Sequence, residues 1–345
     1  MNDENINVEI NDLPVVAKDE VESITPLELA SGGVIYLQSA FLSAADSATR
    51  VGIPTSAAYA SKDNAQAKSL VYALGKIGYD FGTEARGDGF TQLMMQSVKQ
   101  SNPYDPKQLI SFLDTHQDES NMLIWTLSID LTPIYAIEPE AFFASGTYSS
   151  LIGALKGHLL DENDPGYIER VAISGYLTGK TVRLYSGQVV PVISVQPGGL
   201  GYWNTNKWID AVIKSLPGTN LDSSRDTAMK TSFREFLNRI CYDYRNLGTT
   251  SSERALNFAA TNAFQAGELF AEVFFDSRNQ VSRQLKEIVV EKSPFCRLDS
   301  DCWDVKLSFF DPENDRGAMK IVRYTIDVTD VMPVTIGEPR SWSAY

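Results

Sequence analysis

The spacing of hydrophobic and polar positions changes period several times along the chain, and each change marks an element. Residues 92–99 carry apolar positions at helical spacing, and a second short helix starts at Asp105, with Pro106 at its first position. Over residues 121–137 the pattern alternates, which predicts strand pieces at 122–129 and 134–137 separated by Pro133. Pro139 and Glu140 then open a helix directed toward Leu160. Residues 167–177 and 181–195 read as a β-hairpin turned through Thr178-Gly179-Lys180, with Val189, Val190, Val192, Ile193 and Val195 supplying β-branched positions. Pro197-Gly198-Gly199-Leu200-Gly201 reads as a break.

Beyond that break, Trp208, Ile209, Val212, Ile213 and Leu216 lie on one helical face, and residues 226–245 form the strongest helical pattern of the chain. A further helix starts with Ser251 or Ser252 as its cap and runs toward Phe274. The period then falls from 3.6 to 2: residues 303–309 and 320–326 are predicted as antiparallel strands around Asp311-Pro312-Glu313-Asn314. Upstream, residues 34–37 look like a strand and 56–63 like a connector; Thr25-Pro26-Leu27-Glu28 has the form of a helix-starting capping box. The class these patterns define is α+β, with a mixed, mainly antiparallel sheet and packed helices. The division is a mobile acidic tail over 1–24, an α+β part over 25–216, and a helical pair followed by antiparallel strands over 217–345; one continuous domain spanning the last two accommodates the same pattern.

Composition narrows the class of function. A net charge of −14 argues against nucleic acid or an anionic membrane surface, because phosphate binding needs clustered Lys and Arg. No window reaches the roughly 18 consecutive apolar residues of a membrane span. The acidic start, Met1-Asn2-Asp3-Glu4, lacks the basic and apolar regions of a secretion signal, and three cysteines suit a reducing compartment, so the expected location is cytoplasmic.

Residues 70–90 concentrate Gly75, Gly78, Gly82, Gly87 and Gly89 with Tyr72, Tyr79, Phe81, Asp80, Glu84 and Arg86, and read as an irregular segment committed to function. The wording Val71-Tyr72-Ala73-Leu74-Gly75 and Gly78-Tyr79-Asp80-Phe81-Gly82-Thr83-Glu84-Ala85-Arg86 resembles the C-terminal domain of unknown function of PatA/PatG-type cyanobactin maturation proteases. The same resemblance is carried by Ser293-Pro294-Phe295-Cys296-Arg297, by residues 299–307, and by the tail from Thr325 to Ser343. It implies an accessory domain of ribosomal-peptide maturation whose partners are a precursor peptide or maturation enzymes. With Met1 ahead of a short tail and no subtilisin-like motif, a stand-alone version is expected.

Glycine neighbours would let Tyr79, Asp80, Phe81, Glu84 and Arg86 converge on a peptide; the simpler alternative is that Arg86 pairs with one of the acids and locks the loop. Cys296 and Cys302 have five residues between them in an Asp-rich loop and, with Cys241, could give zinc three thiolates. The alternative is free structural thiols, Cys241 sitting on an apolar helical face. His116 reads as part of a solvated loop and His158 as a helix-end residue, and neither is flanked by a nucleophile motif. The leading reading is therefore a non-catalytic docking domain needing no cofactor. Its rival is a peptide-modifying enzyme that uses a metal, and a homo-oligomer is compatible with either.

Overall fold

The computed structural model describes residues 69–97, 101–204, 206–207, 227, 231, 239, 246–263, 273, 275–276, 281–312, 314 and 316–344. The expected strand at 34–37, the connector at 56–63, the capping box at Thr25 and the helices at 208–216 and 226–245 lie outside them. The α+β class is as the hydrophobic pattern indicates, but several element boundaries differ.

Residues 70–80 are not irregular: β1 (Leu70–Asp80) is an unbroken strand. Its alternation decides the architecture, since Val71, Ala73 and Ile77 enter one core while Tyr72 and Leu74 enter another. The first half of β1 pairs antiparallel with β4 (Arg170–Arg183), and the second half with β2 (Ile124–Ile129). Gly75 sits at the handover, where a Cβ would stand 2.6 Å from the carbonyl oxygen of Ser128, so no side chain fits where the two partners cross. β3 (Thr132–Pro139) pairs with β2 and runs parallel to β5 (Val189–Trp203), which closes onto β4. The closed order is β1-β2-β3-β5-β4.

Three helices attach to this barrel. α1 (Glu84–Met95) and α2 (Pro106–Leu113) lie between β1 and β2, and α3 (Ala144–His158) lies between β3 and β4. Asp105 caps α2 by accepting the Lys107 N–H at 3.0 Å, with Pro106 behind it as the sequence indicated. Trp125, Leu127, Ile173 and Ile193 fill the interior together with Leu151 and Leu155 of α3 and Leu109 and Leu113 of α2. Each such side chain contributes about 1.5–3 kcal/mol by leaving water. Strand order, the parallel β3–β5 contact and a helix between β3 and β4 together make a Greek-key barrel of the oligonucleotide/oligosaccharide-binding type.

Three turn assignments need correcting. The β4–β5 turn is at residues 184–188, where the Leu184 and Gly187 N–H groups donate to the Gln188 and Leu184 carbonyls; Gly179, at φ +78°, instead marks a register shift inside β4. Pro197 to Gly201 does not end a strand, because β5 runs on to Trp203 with Gly198 at φ +69° beside a second register shift. The β2–β3 chain reverses at Asp130 (φ +53°) and Leu131, ahead of Pro133, which lies inside β3. In each case the bend falls at a residue with positive φ, while proline is accommodated within a strand next to an irregularity.

A second layer covers the outer face of β1. α4 (Ser251–Ala263) is capped by Thr250, one residue before the expected serines, whose hydroxyl accepts the Glu253 N–H at 3.3 Å while Glu253 reaches back to the Thr250 N–H at 3.1 Å. Its expected continuation toward Phe274 leaves the described residues. Behind it stands a sheet of β6 (Gln284–Lys292), β7 (Cys302–Phe310) and β8 (Met319–Asp327), edged by β9 (Val334–Thr335) and β10 (Arg340–Ala344). A short ribbon pairs residues 275–276 with 281–282. Ala255, Phe258 and Ala259 of α4 pack between Tyr72 and Leu74 on one side and Val305, Leu307, Phe309, Val322, Tyr324 and Ile326 on the other. In the first half of β1 the edge opposite β4, which β2 does not reach, is closed by side chains and loop backbone: the Tyr72 N–H donates to Gly248 O (2.9 Å) and its carbonyl accepts from Asn257 Nδ2 (2.7 Å).

Candidate functional site

The glycine-rich run ends in a turn whose geometry is set by one carboxylate. Asp80, the last residue of β1, accepts the Gly82 N–H at 2.5 Å and the Tyr185 N–H at 2.9 Å through the same Oδ1. Gly82 has φ +72°, which an L side chain rarely adopts, and a Cβ there would meet Ile124 Cδ1 at 2.8 Å. Thr83 then caps α1 by accepting the Arg86 N–H at 3.3 Å. The β1–β2 and β4–β5 connections, 105 residues apart in the chain, are thus tied at a single atom.

The five residues singled out from sequence separate into two groups. Phe81 is buried, with ring centroids at 5.4 Å from Phe90, 5.1 Å from Tyr104 and 5.7 Å from Tyr79. The half-buried Tyr79 donates its hydroxyl to Pro103 O at 3.0 Å; burial, with Asp105 adding to it, pushes its pKa up to about 12. Both serve the fold, as does Asp80. Glu84 and Arg86, on the first turn of α1, are exposed. Arg86 makes no ion pair among the described residues, so the loop is locked by Asp80 accepting backbone amides and not by an Arg86 pair.

Two residues that sequence reasoning missed complete this surface. Tyr104 and Tyr185 are more than half exposed, at 55% and 58%. Tyr104 lies with its edge against Phe81 and its hydroxyl over Gly87, and its pKa is raised by desolvation, followed by Tyr185, Asp88, Glu84 and Asp80. The Phe81–Tyr104 ring contact and the Tyr185 N–H donated to Asp80 at 2.9 Å bring the two tyrosines to the same turn. Nothing local in sequence links Tyr185 to the glycine-rich run; only the barrel's closure does.

The histidines have structural settings. His116 stacks on Phe112 with centroids 4.4 Å apart. His158 closes α3: Nε2 accepts the Ile77 N–H at 3.0 Å, which requires Nδ1 to carry the proton it donates to Ile168 O at 2.6 Å. Burial is the main reason its pKa is lowered to about 4, with Lys76 and Arg170 acting in the same direction and the Ile168 hydrogen bond opposing.

Cys296 and Cys302 are brought together in the β6–β7 connection as free thiols. Cys296 Sγ donates to Ser300 O at 2.8 Å; Cys302 is buried, and its pKa is pushed up to about 12, by burial first and then by the neighbouring Cys296 thiol. Cys241, the third thiolate of the proposed zinc set, lies outside the described residues. Among those described, no group of three potential metal ligands gathers, and no helix is long and apolar enough to cross a membrane.

The described residues form a closed five-stranded barrel, a covering helix and a second antiparallel sheet, an α+β arrangement that by itself assigns no activity. Family comparisons give this architecture a place. Residues 70–179 match the family described as PatG Domain, and residues 223–342 match that described as PatG C-terminal. A solved structure described as "PatG Domain of Unknown Function" is 43% identical, with a TM-score of 0.70, over 80% of this chain and 99% of its own. The chain belongs to the PatG domain-of-unknown-function family. No curated protein matches.

Proposed function

We propose that this domain is a non-catalytic docking module of a cyanobactin-type peptide maturation pathway, and that its peptide-binding surface is formed by Glu84, Arg86, Asp88, Tyr104 and Tyr185. The observation that carries the reading is the junction of the β1–β2 and β4–β5 connections through Asp80. In barrels of this type those two connections, with the β2–β3 face, are where extended ligands are held. The chemistry presented here differs from that of a nucleic-acid reader: carboxylates outnumber the single Arg86, which disfavours phosphates. Exposed tyrosines on a rigid base suit a peptide, because aromatic side chains supply much of the binding energy at protein interfaces. The negative rim favours a segment that carries Lys or Arg beside its apolar residues.

The test is a titration of the full chain into a fluorescently labelled precursor peptide, read by anisotropy, with the peptide mass recorded from the same sample. Saturable binding at unchanged mass is expected, weakened about tenfold by Tyr185→Ala or Tyr104→Ala. A mass shift would overturn the docking reading in favour of a peptide-modifying enzyme, and unaltered affinity in both tyrosine variants would remove this surface.

A further inference from the structure

The face of the second sheet turned away from α4 carries an arrangement that the docking surface does not use. Arg323 of β8 and Arg340 of β10 are directly opposite each other in the antiparallel register, so both side chains rise from the same face. Like charges in that relation destabilise a sheet unless something between them is negative. Both line one cavity of about 510 Å³, within the size range of small-ligand sites.

The two arginines are held differently. Arg323 Nη1 stands 3.8 Å from Oδ2 of Asp304, a carboxylate only 1% exposed whose other oxygen accepts the Thr325 hydroxyl at 2.7 Å. The Arg323 guanidinium also lies 5.3 Å from the Phe295 ring centroid. Asp304 and Phe295 thereby position Arg323 from beneath and beside the cavity. Arg340 is exposed and makes no ion pair among the described residues. Glu338, the one carboxylate of the lining, makes none either, so it does not cancel the arginine charge at contact distance. Phe295, Ile336 and Pro339 supply the apolar part of the remaining wall, with Thr325 and Gly337 beside them. In a chain of net charge −14, two arginines meet at one partly apolar cavity, with Asp304 beside Arg323 and Glu338 making no ion pair with either.

We infer that this cavity binds a carboxylate carried on an apolar group, with Arg323 and Arg340 as its two anchors, the chemistry shared by the free C-terminal residue of a peptide and by a small arylalkanoate. A guanidinium fork matches a carboxylate in two parallel hydrogen bonds, and a pair of forks resolves the cross-strand repulsion when the anion sits between them. The apolar wall takes the attached side chain. The site is separate from the tyrosine surface and does not depend on the docking proposal.

Calorimetric titration of the full chain with three probes tests it: N-acetyl-Ala-Ala-Phe as the free acid, the same peptide as its C-terminal amide, and 3-phenylpropionate. The acids are expected to bind, with the amide at least tenfold weaker. Arg340→Ala, at an exposed position that leaves the fold intact, should weaken the acids tenfold or more, and Arg340→Lys should restore part of the loss. Arg323→Lys keeps a cation beside Asp304 and should also weaken binding, through loss of the fork. Tighter binding of the peptide acid assigns a peptide C-terminus as the source; tighter binding of phenylpropionate assigns a small acid. Equal affinity for acid and amide, an unchanged Arg340→Ala variant, or no saturation by either acid at millimolar concentration would each overturn the proposal.

Discussion

His158 makes stability pH-dependent in a window that can be stated from its contacts. The folded state holds the imidazole neutral, with Nε2 occupied by the Ile77 N–H, so protonation must break that bond in a desolvated setting. The ordinary value of 6.5 applies to the unfolded chain and about 4 to the folded one, so the unfolded state takes up a proton first as pH falls. The contribution is therefore complete above pH 6.5, lost progressively below it, and exhausted near pH 4. At 1.36 kcal/mol per pH unit, about 2 kcal/mol disappears between pH 7 and 5 and about 3 kcal/mol by pH 4. The assay is urea unfolding of wild type and His158→Gln across that range. Glutamine supplies an acceptor for Ile77 but cannot titrate, so the variant should be less stable at pH 7 and should lack this part of the acid slope. The chain has only two histidines, so the variant also assigns the His158 signal in an NMR titration. A His158 pKa at or above 6, or identical acid slopes in both proteins, would refute the reasoning.

Other perturbations follow from particular contacts. Gly248→Ala should cost about 3 kcal/mol or more in chemical denaturation, because φ is +70° and its Cβ would stand 2.0 Å from the Tyr72 carbonyl oxygen. Gly89→Ala, inside α1 with nothing within 4 Å of the added methyl, should instead stabilise by about 0.5–1 kcal/mol. Asp80→Ala removes the acceptor of two backbone amides; a loss of about 2 kcal/mol is expected, with hydrogen exchange at the Tyr185 amide speeding up more than in the β7–β8 sheet. Iodoacetamide at pH 8 should leave Cys302 unmodified in the folded protein and label it in urea, as peptide mapping would show, since burial and a raised pKa keep the thiol protonated.

Much of the secondary structure was legible from local pattern alone. The α2 start at Asp105-Pro106 and the alternation of β7 and β8 need no tertiary information to be read. The misread positions share a cause. Glycines at 75 and 78 look like loop residues in sequence, yet Gly75 is required by the crossing of β2 and β4 over β1, a constraint set by residues about fifty to a hundred positions away. Likewise Gly179 and Gly198 carry positive φ, as a turn would, but they serve bulges that let long strands coil around a small barrel. Of the candidate site, Asp80, Glu84 and Arg86 were visible as charges among glycines. Their division into a buried brace and an exposed surface, and the arrival of Tyr104 and Tyr185 beside them, depends on barrel closure.

The docking of α4 on β1 bears on how this chain can be divided. Sequence families match up to residue 179 and resume at 223, which invites a cut between them. Yet Tyr72 from the first block donates to Gly248 and accepts from Asn257 in the second, and its hydroxyl meets that of Thr261 at 3.0 Å. A fragment ending in the interval would leave Tyr72 and Leu74 bare and the rim of β1 able to recruit foreign strands. The sheet fragment, for its part, would lose Tyr72, Leu74 and Ala172 from the lining of its own core. Neither piece is a transplantable part, so a functional assay on one alone would report on a damaged molecule, and only a span holding both blocks retains the surfaces whose binding is in question.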